Sequence, residues 1–203
     1  SLGIFEKINF ELEEIGKPIS FKWGKCKLAT VSFGHGITTT PLQLAKAYAI
    51  LGNGGHKIDP FILKDKIELI EPGSQIISKT TSNEINLILR KVLDLDEGTA
   101  NFANIEGYEV AGKTGTAVKY KSNAKLNTFV ALFPSSRPKY VLLVMLDDPK
   151  PAPNFVYEFP PSEKYPNGYK HKGETRNTSG WNTVVIAGKI IEKIGPILAI
   201  NNL

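Results

Sequence analysis

The chain has 203 residues, of which 41% are hydrophobic, 22% charged and 9% aromatic. This composition is typical of a folded globular protein and excludes disordered and collagen-like chains. Lysine and arginine total 25 against 20 acidic residues, which gives a formal charge of +5. Only Arg90, Arg137 and Arg176 are arginines. Because arginine supplies the planar fork that reads bases and grips phosphates, we expect no nucleic-acid partner.

The rarer residue types exclude further classes of protein. Cys26 is the single cysteine and cannot form an intramolecular disulfide, and His35, His56 and His171 lie far apart in the sequence. No histidine has another metal ligand at the spacing of a zinc site. The longest apolar run, Val141–Leu146, is far shorter than the roughly 18–20 residues that span a bilayer.

The first hundred residues predict two helices separated by short strands. Thr40 is typical of an N-cap and Pro41 of the first helical position, so we predict a helix from Pro41 to the glycines that follow residue 51. Segment 57–77 predicts short strands around a turn at Pro72-Gly73. Thr81 and Glu84 then form a capping-box pattern before an amphipathic helix that ends near Gly98. The predicted buried residues are Leu42, Ala45, Tyr48, Ala49 and Leu51 in the first helix and Ile58, Phe61, Leu63, Ile67, Leu69 and Ile76 in the strands.

The second half predicts an antiparallel sheet. Three β-rich runs, residues 108–120, 128–133 and 140–146, follow one another with short polar connectors, which favours pairing between sequence neighbours. The last run does not alternate with polar residues, so we expect both of its faces to be covered.

Two further segments complete the predicted fold. Pro149–Ser179 contains six prolines and no usable period, which predicts a long, mobile loop. A closing helix follows and is predicted to end at Gly195-Pro196. The fold class is therefore α/β (α+β), an antiparallel sheet flanked by helices.

Two motifs share one stretch of the sequence. Gly107–Thr114 matches the phosphate-binding loop pattern G-x-x-x-x-G-K-[ST], and Asp147 follows an apolar run as a magnesium-binding acid would. A phosphate loop must open a helix, whose first N–H groups make the anion site. The residues after Thr114 contain glycine and β-branched side chains without an apolar stripe, and they predict no helix. A P-loop nucleotide-binding protein stays as the alternative.

The competing motif is Lys113-Thr114-Gly115-Thr116, the K-T-G pattern of serine enzymes that act on penicillins and D-Ala-D-Ala peptides. The motif belongs on a strand that lines a cleft, and residues 108–120 are strand-like. A lysine ammonium can hold a carboxylate, threonine hydroxyls add hydrogen bonds, and a strand-edge N–H can face a developing oxyanion. Gly115 would allow a ligand to approach the backbone closely.

Residues around this motif strengthen the second interpretation. Ser32–Ala49, with its Thr-Pro-Leu-Gln segment, closely resembles a stretch of class B penicillin-binding proteins, especially the transpeptidase of the cell-division machinery. The Lys113 motif follows at the distance expected in that family. The resemblance runs over nearly all of residues 1–203 and implies the C-terminal portion of one transpeptidase domain, an incomplete fold of the penicillin-binding transpeptidase and serine β-lactamase type.

The resemblance also implies a chemistry. Such proteins cross-link peptidoglycan through a serine acyl-enzyme, which needs no metal or organic cofactor. Lys113 and Thr116 would bind the terminal carboxylate of a D-Ala-D-Ala stem peptide or β-lactam, the Thr116 N–H would complete the oxyanion hole, and Thr114 and Gly115 would shape the strand. The family further implies divisome partners and a place on the periplasmic face of the bacterial inner membrane.

The nucleophile of the family lies in an S-x-x-K motif that precedes the K-T-G strand. Ser122–Lys125 and Ser136–Lys139 match the pattern but follow the strand, and the second contains Pro138 where a helical turn is required. Thr81-Ser82-Asn83 is better explained as a helix cap than as the S-x-N motif of the family. We therefore expect both motifs to precede Ser1, so that the chain alone is inactive and the 140–146 strand is an exposed edge open to self-association. A catalytically silent binding domain of the same fold remains a second alternative.

Overall fold

The computed structural model describes residues 2–13, 15–19, 22–63 and 73–200, and the chain divides into two compact units, residues 1–82 and 83–203. The predicted turn residue Pro72 and the predicted buried residues Ile67 and Leu69 lie outside the described residues. The first unit contains α1 (Lys27–Val31) and α2 (Pro41–Gly52).

The start of α2 confirms the predicted cap. The Thr40 hydroxyl accepts a hydrogen bond from the Gln43 N–H, and the Gln43 side chain accepts one from the Thr40 N–H, which together form a capping box with Pro41 in the first turn. Gln43 also donates to the carbonyl oxygen of Glu6. The Thr-Pro-Leu-Gln segment thus begins the helix, and its Gln43 bonds the helix to the N-terminal segment of the chain.

The buried face of α2 differs from the predicted stripe. Its most buried residues are Gln43, Lys46, Ala47 and Ile50, whereas the predicted residues Leu42, Ala45, Tyr48, Ala49 and Leu51 are half-buried. Polar side chains are buried here because each has a partner, and Lys46 forms an ion pair with Asp59.

The predicted strands of segment 57–77 are wrong for the residues that the structure describes there. Their pairing is limited to one bridge between His56 and Gln75, Leu63 is exposed, and Ile58, Phe61 and Ile76 are half-buried. Pro60 lacks the N–H that a longer ladder would need. The helix α3 (Lys79–Asp94) begins before the predicted Thr81–Glu84 box, because the Ser78 hydroxyl accepts the Thr81 N–H at 3.0 Å and acts as the cap.

The second unit confirms the antiparallel sheet. Strands β1 (Ala111–Val118), β2 (Lys125–Phe133) and β3 (Tyr140–Asp147) pair in the order β1-β2-β3. The central strand is buried through Val130–Phe133. Within the part of the chain that the structure describes, β1 and β3 are the two edges, so the predicted exposed edge at β3 is present.

The helix α4 (Thr183–Ile200) covers β2 and β3 and contacts a 3-10 helix at Asn101–Ala103. It passes through Pro196 instead of ending there, and Leu198, beyond the proline, packs against the hydrophobic core. In β3 only Val144 is buried and its neighbours are half-buried. The expectation that both faces of β3 are covered is therefore wrong for the described residues. None of the helices in those residues is long and apolar enough to cross a membrane.

The segment Pro149–Ser179, predicted to lack regular structure, contains a two-stranded antiparallel sheet of β4 (Val156–Phe159) and β5 (Tyr169–Lys172). Contacts between aromatic rings stabilise this sheet, although the sequence shows no alternating pattern that would predict its strands. Phe159 stacks on Tyr169, its cross-strand partner, with ring centroids 4.3 Å apart. The Tyr157 hydroxyl donates to the carbonyl oxygen of Trp181, which joins this sheet to the 3-10 helix Ser179–Trp181 that precedes α4.

Candidate active site

The K-T-G residues lie on β1, an exposed edge strand. Lys113, Gly115 and Thr116 are exposed and Thr114 is half-buried. Successive side chains of a strand point to opposite faces, so Lys113 and Gly115 share one face and Thr114 and Thr116 the other. The strand continues from Lys113 to Val118 where a phosphate loop would require a helix. The structure thus contradicts the P-loop interpretation of Gly107–Thr114 and Asp147.

A cleft of about 260 Å³ opens beside this strand. Thr114 and Thr116 line it from β1, and the other walls are formed by Gly98, Thr99, Asn101, Phe102, Phe159 and residues 178–181. A Cβ atom at Gly180 would lie 2.6 Å from the carbonyl oxygen of Thr99, so only glycine allows these two walls to approach so closely. The cleft is therefore built from three separate parts of the chain around the second face of the K-T-G strand.

Thr99 positions Thr114 across the cleft. Their hydroxyl groups are 2.9 Å apart and hydrogen bonded. The sequence does not predict Thr99 as a site residue. The turn at Gly98 that carries it is explained by the end of the preceding helix, so it indicates no function. Its role becomes visible only when the turn is seen to lie opposite β1.

Ser179 positions Thr116 and was also missed from the sequence. The Ser179 N–H donates to the Thr116 hydroxyl at 3.1 Å. The Ser179 hydroxyl donates to the carbonyl oxygen of Thr128 and contacts the Thr183 hydroxyl, both at 2.7 Å. Because Ser179 is 1% exposed, these bonds are shielded from water and fix the start of α4 to the sheet.

A cluster of three asparagines lies beside Thr116 on the neighbouring strand and the loop that precedes α4. Asn127 is opposite Thr116 in the β1-β2 register and is fully buried. Its side-chain N–H groups donate to the side-chain oxygens of Asn177 and Asn182 at 3.3 and 3.2 Å, while its own side-chain oxygen is buried without a hydrogen-bond partner among the described residues. Asn177 also accepts the Lys125 ammonium on its backbone oxygen at 2.9 Å. Asn127 lies on the same face of the sheet as Thr116, because directly opposite residues of paired strands share a face.

Lys113 and Gly115 face away from this cleft. The Lys113 ammonium donates to the carbonyl oxygen of Thr114 at 2.9 Å and remains exposed. A Cβ atom at Gly115 would have Thr128 O, 3.9 Å away, as its nearest neighbour outside the adjacent residues. Packing within this chain therefore does not require glycine at 115, which leaves the space above it open to a ligand or another segment.

The two formal S-x-x-K matches do not form a nucleophilic site. Ser122 lies in the β1-β2 turn and the Lys125 side chain is held by Asn177. The Ser136 hydroxyl donates to the Glu109 carboxylate, and Pro138 follows it. Neither serine lies in a helix, where the lysine one turn later would face it. The prediction that neither match serves as nucleophile is consistent with this geometry.

An antiparallel sheet whose edge strand presents K-T-G beside a threonine-lined cleft is the arrangement expected for the class of penicillin-recognising proteins. The model of the penicillin-binding protein transpeptidase domain matches residues 2–159. The chain belongs to this family, which confirms the resemblance and the fold class inferred from the sequence.

Individual relatives agree. The probable peptidoglycan D,D-transpeptidase FtsI of Caulobacter vibrioides is 31% identical over 214 residues, which cover 98% of this chain and 33% of that protein. Stage V sporulation protein D of Bacillus subtilis is 34% identical, with 73% of this chain and 25% of that protein covered. The solved transpeptidase domain of the FtsI4 D,D-transpeptidase from Legionella pneumophila matches with a TM-score of 0.59 at 26% identity, covering 86% of this chain and 56% of that one. The chain thus spans a quarter to a third of the length of these curated relatives.

Proposed function

We propose that this chain forms the K-T-G wall of a peptidoglycan D,D-transpeptidase that also binds β-lactams. The observation that carries the proposal is β1, an open edge strand with Lys113, Gly115 and Thr116 exposed, in a chain of this family. An edge strand offers unpaired N–H and C=O groups to which an extended peptide can add as a further strand. A stem peptide that ends in D-Ala-D-Ala is the extended substrate that such an edge would take.

Each site residue has a role in this proposal. The Lys113 ammonium and the Thr116 hydroxyl leave β1 on opposite faces and bind the terminal carboxylate from the two sides of the open strand edge, and Thr114 and Gly115 hold the strand open beside them. The Thr116 N–H stabilises the oxyanion that forms when a serine oxygen attacks the carbonyl carbon of the penultimate D-Ala. The bond to the terminal D-Ala nitrogen breaks, and an amine of a neighbouring stem peptide then takes the acyl group from the serine.

The proposal extends to the whole protein. Both compact units belong to one transpeptidase domain, and the serine and its lysine come from residues outside these 203. Such a domain works on the periplasmic face of the inner membrane, with divisome proteins as partners. The open edge of β3 is covered in the complete domain, and in the isolated chain it is free to pair with a second copy.

Labelling with a fluorescent penicillin tests the proposal. After denaturing electrophoresis we expect no covalent label on the 203-residue chain and a stoichiometric band on the full-length protein. Lys113→Ala removes a charge-assisted hydrogen bond of about 1.5–3 kcal/mol, so the second-order acylation rate should fall about 10- to 100-fold. Lys121→Ala, an exposed lysine in the β1-β2 turn, is the matched control and should label as the wild type does.

Three results would contradict the proposal. They are a labelled 203-residue chain, equal effects of the two lysine substitutions, and a full-length protein that takes no label. The last result, with non-covalent penicillin binding retained, would identify the catalytically silent alternative.

A further inference from the structure

A second cavity of about 330 Å³ lies beside the β4-β5 sheet. Phe159, Tyr165 and Tyr169 form its aromatic wall, and Asp96, Asn101 and Lys164 are among its polar groups. We propose that this cavity binds one sugar ring of the peptidoglycan glycan strand. The inference deepens the proposed function and rests on it for the identity of the polymer.

The aromatic wall is preformed. The rings of Phe159 and Tyr169 stack at 4.3 Å with an interplanar angle of 4°, and Tyr165 lies 4.5 Å from Tyr169. Tyr165 is 40% exposed, so part of its surface is available to a ligand. A pyranose ring has an apolar face of C–H groups that packs on such surfaces, and ordered aromatics lose little conformational entropy when they bind.

The polar groups favour a neutral ligand with hydroxyl groups. Asn101 donates both side-chain N–H bonds to the carbonyl oxygens of Leu93 and Leu95, at 3.1 and 2.6 Å, so its side-chain oxygen is left as an acceptor. The Asp96 carboxylate is also an acceptor and receives the Lys164 N–H at 3.3 Å. The Lys164 ammonium, 5.5 Å from the centroid of the Tyr165 ring, is a donor.

The mixture of charges distinguishes between ligand classes. The Asp96 carboxylate repels a carboxylate of a ligand, and the Lys164 ammonium repels an ammonium of a ligand. Hydroxyl and acetamido groups both donate and accept hydrogen bonds, so they satisfy acceptors and donor together. A sugar therefore fits this wall better than the charged ends of a stem peptide.

The position of the cavity agrees with this occupant. Asn101 and Phe159 line both this cavity and the cleft beside the K-T-G strand. A ligand here would therefore be separated from the cleft beside the K-T-G strand by the side chains of Asn101 and Phe159. The glycan strand that carries a stem peptide must pass close to the site that processes the peptide.

Calorimetric titration with chitotetraose, a neutral N-acetylglucosamine oligomer, tests the inference on the full-length protein, with the 203-residue chain alongside. We expect saturable binding to both. Tyr165→Ala should weaken it at least fivefold, because it removes an exposed ring of the wall. Tyr120→Ala is the matched control, since Tyr120 is 82% exposed in the β1-β2 turn, and it should change the Kd less than twofold.

Absence of saturable binding to the full-length protein, or equal Kd values for Tyr165→Ala and wild type, would overturn the inference. It would also be overturned if Tyr165→Ala weakened binding of an acetylated D-Ala-D-Ala tripeptide and left chitotetraose unaffected. The penicillin experiment is independent of this one because Lys113 does not line this cavity. Chitotetraose binding without penicillin labelling would support the sugar site and refute the transpeptidase.

Discussion

Replacing Ser179 by alanine tests whether the cleft depends on the bonds that fix α4 to the sheet. The substitution removes the hydroxyl that donates to the Thr128 carbonyl oxygen at 2.7 Å. Thr183 retains its hydrogen bond to the Ser179 carbonyl oxygen at 3.1 Å, so the principal loss falls on Thr128. A buried acceptor that loses a partner costs about 1–3 kcal/mol. A carbonyl oxygen has two lone pairs and only one of them loses its donor here, so we expect a loss of about 1–2 kcal/mol.

Urea unfolding, followed by tryptophan fluorescence, measures this loss. With a slope of about 2 kcal/mol per molar urea, the midpoint should fall by about 0.5–1 M. Thr178→Ala is the control, because Thr178 is exposed and its side chain makes no capping hydrogen bond. Its free energy of unfolding should stay within about 0.5 kcal/mol of wild type.

A second measurement separates positioning from stability. Because the Ser179 N–H holds the Thr116 hydroxyl, Ser179→Ala should also slow penicillin acylation of the full-length protein at temperatures where it is fully folded. Equal unfolding midpoints for Ser179→Ala and Thr178→Ala would refute the energetic reasoning. An unchanged acylation rate would refute the link to Thr116.

Three further outcomes are expected. Gly115→Ala should leave the free energy of unfolding unchanged or raise it by about 0.5 kcal/mol, since the nearest neighbour of the added Cβ atom is Thr128 O at 3.9 Å. The same substitution should reduce the rate of acylation. A large loss of stability would contradict the conclusion that the space above Gly115 is open. Burial raises the pKa of Tyr157 and of Tyr48, so the folded state holds these protons more tightly and the free energy of unfolding should fall as pH rises above about 10. Tyr157→Phe should cost about 1 kcal/mol at neutral pH through its lost bond to Trp181 and should flatten that alkaline fall; an unchanged slope would refute the assignment. Light scattering should show association of the 203-residue chain that grows with concentration, and a monomer at all concentrations would count against pairing through β3.

Much of the second unit is predictable because its signals are local. The sheet follows from three β-rich runs with short connectors, and the K-T-G strand follows from the absence of a helical pattern after Lys113. In the first unit, the start of α2 follows from Thr40 and Pro41. In each of these places the local preference and the final structure agree.

The missed features depend on contacts between distant residues. Nothing near Ser179 indicates that it faces Thr116, and Thr99 is explained locally by a turn. The β4-β5 sheet has no alternating pattern because its stability comes from ring contacts, such as Phe159 on Tyr169. Burial of Lys46 was missed for the same reason, since its partner Asp59 lies 13 positions away.

The edge position of β1 has a consequence for solubility. A strand that stays open for a peptide substrate is equally open to the same strand of another molecule, and proteins protect such edges with charge, lysine above all. Lys113 stands on this strand and Lys121 in the turn that follows, so two copies that approach edge to edge bring like charges together. A substrate that ends in a carboxylate is instead attracted by the positive charge. The same ammonium that is proposed to recognise the substrate therefore also discriminates against self-assembly.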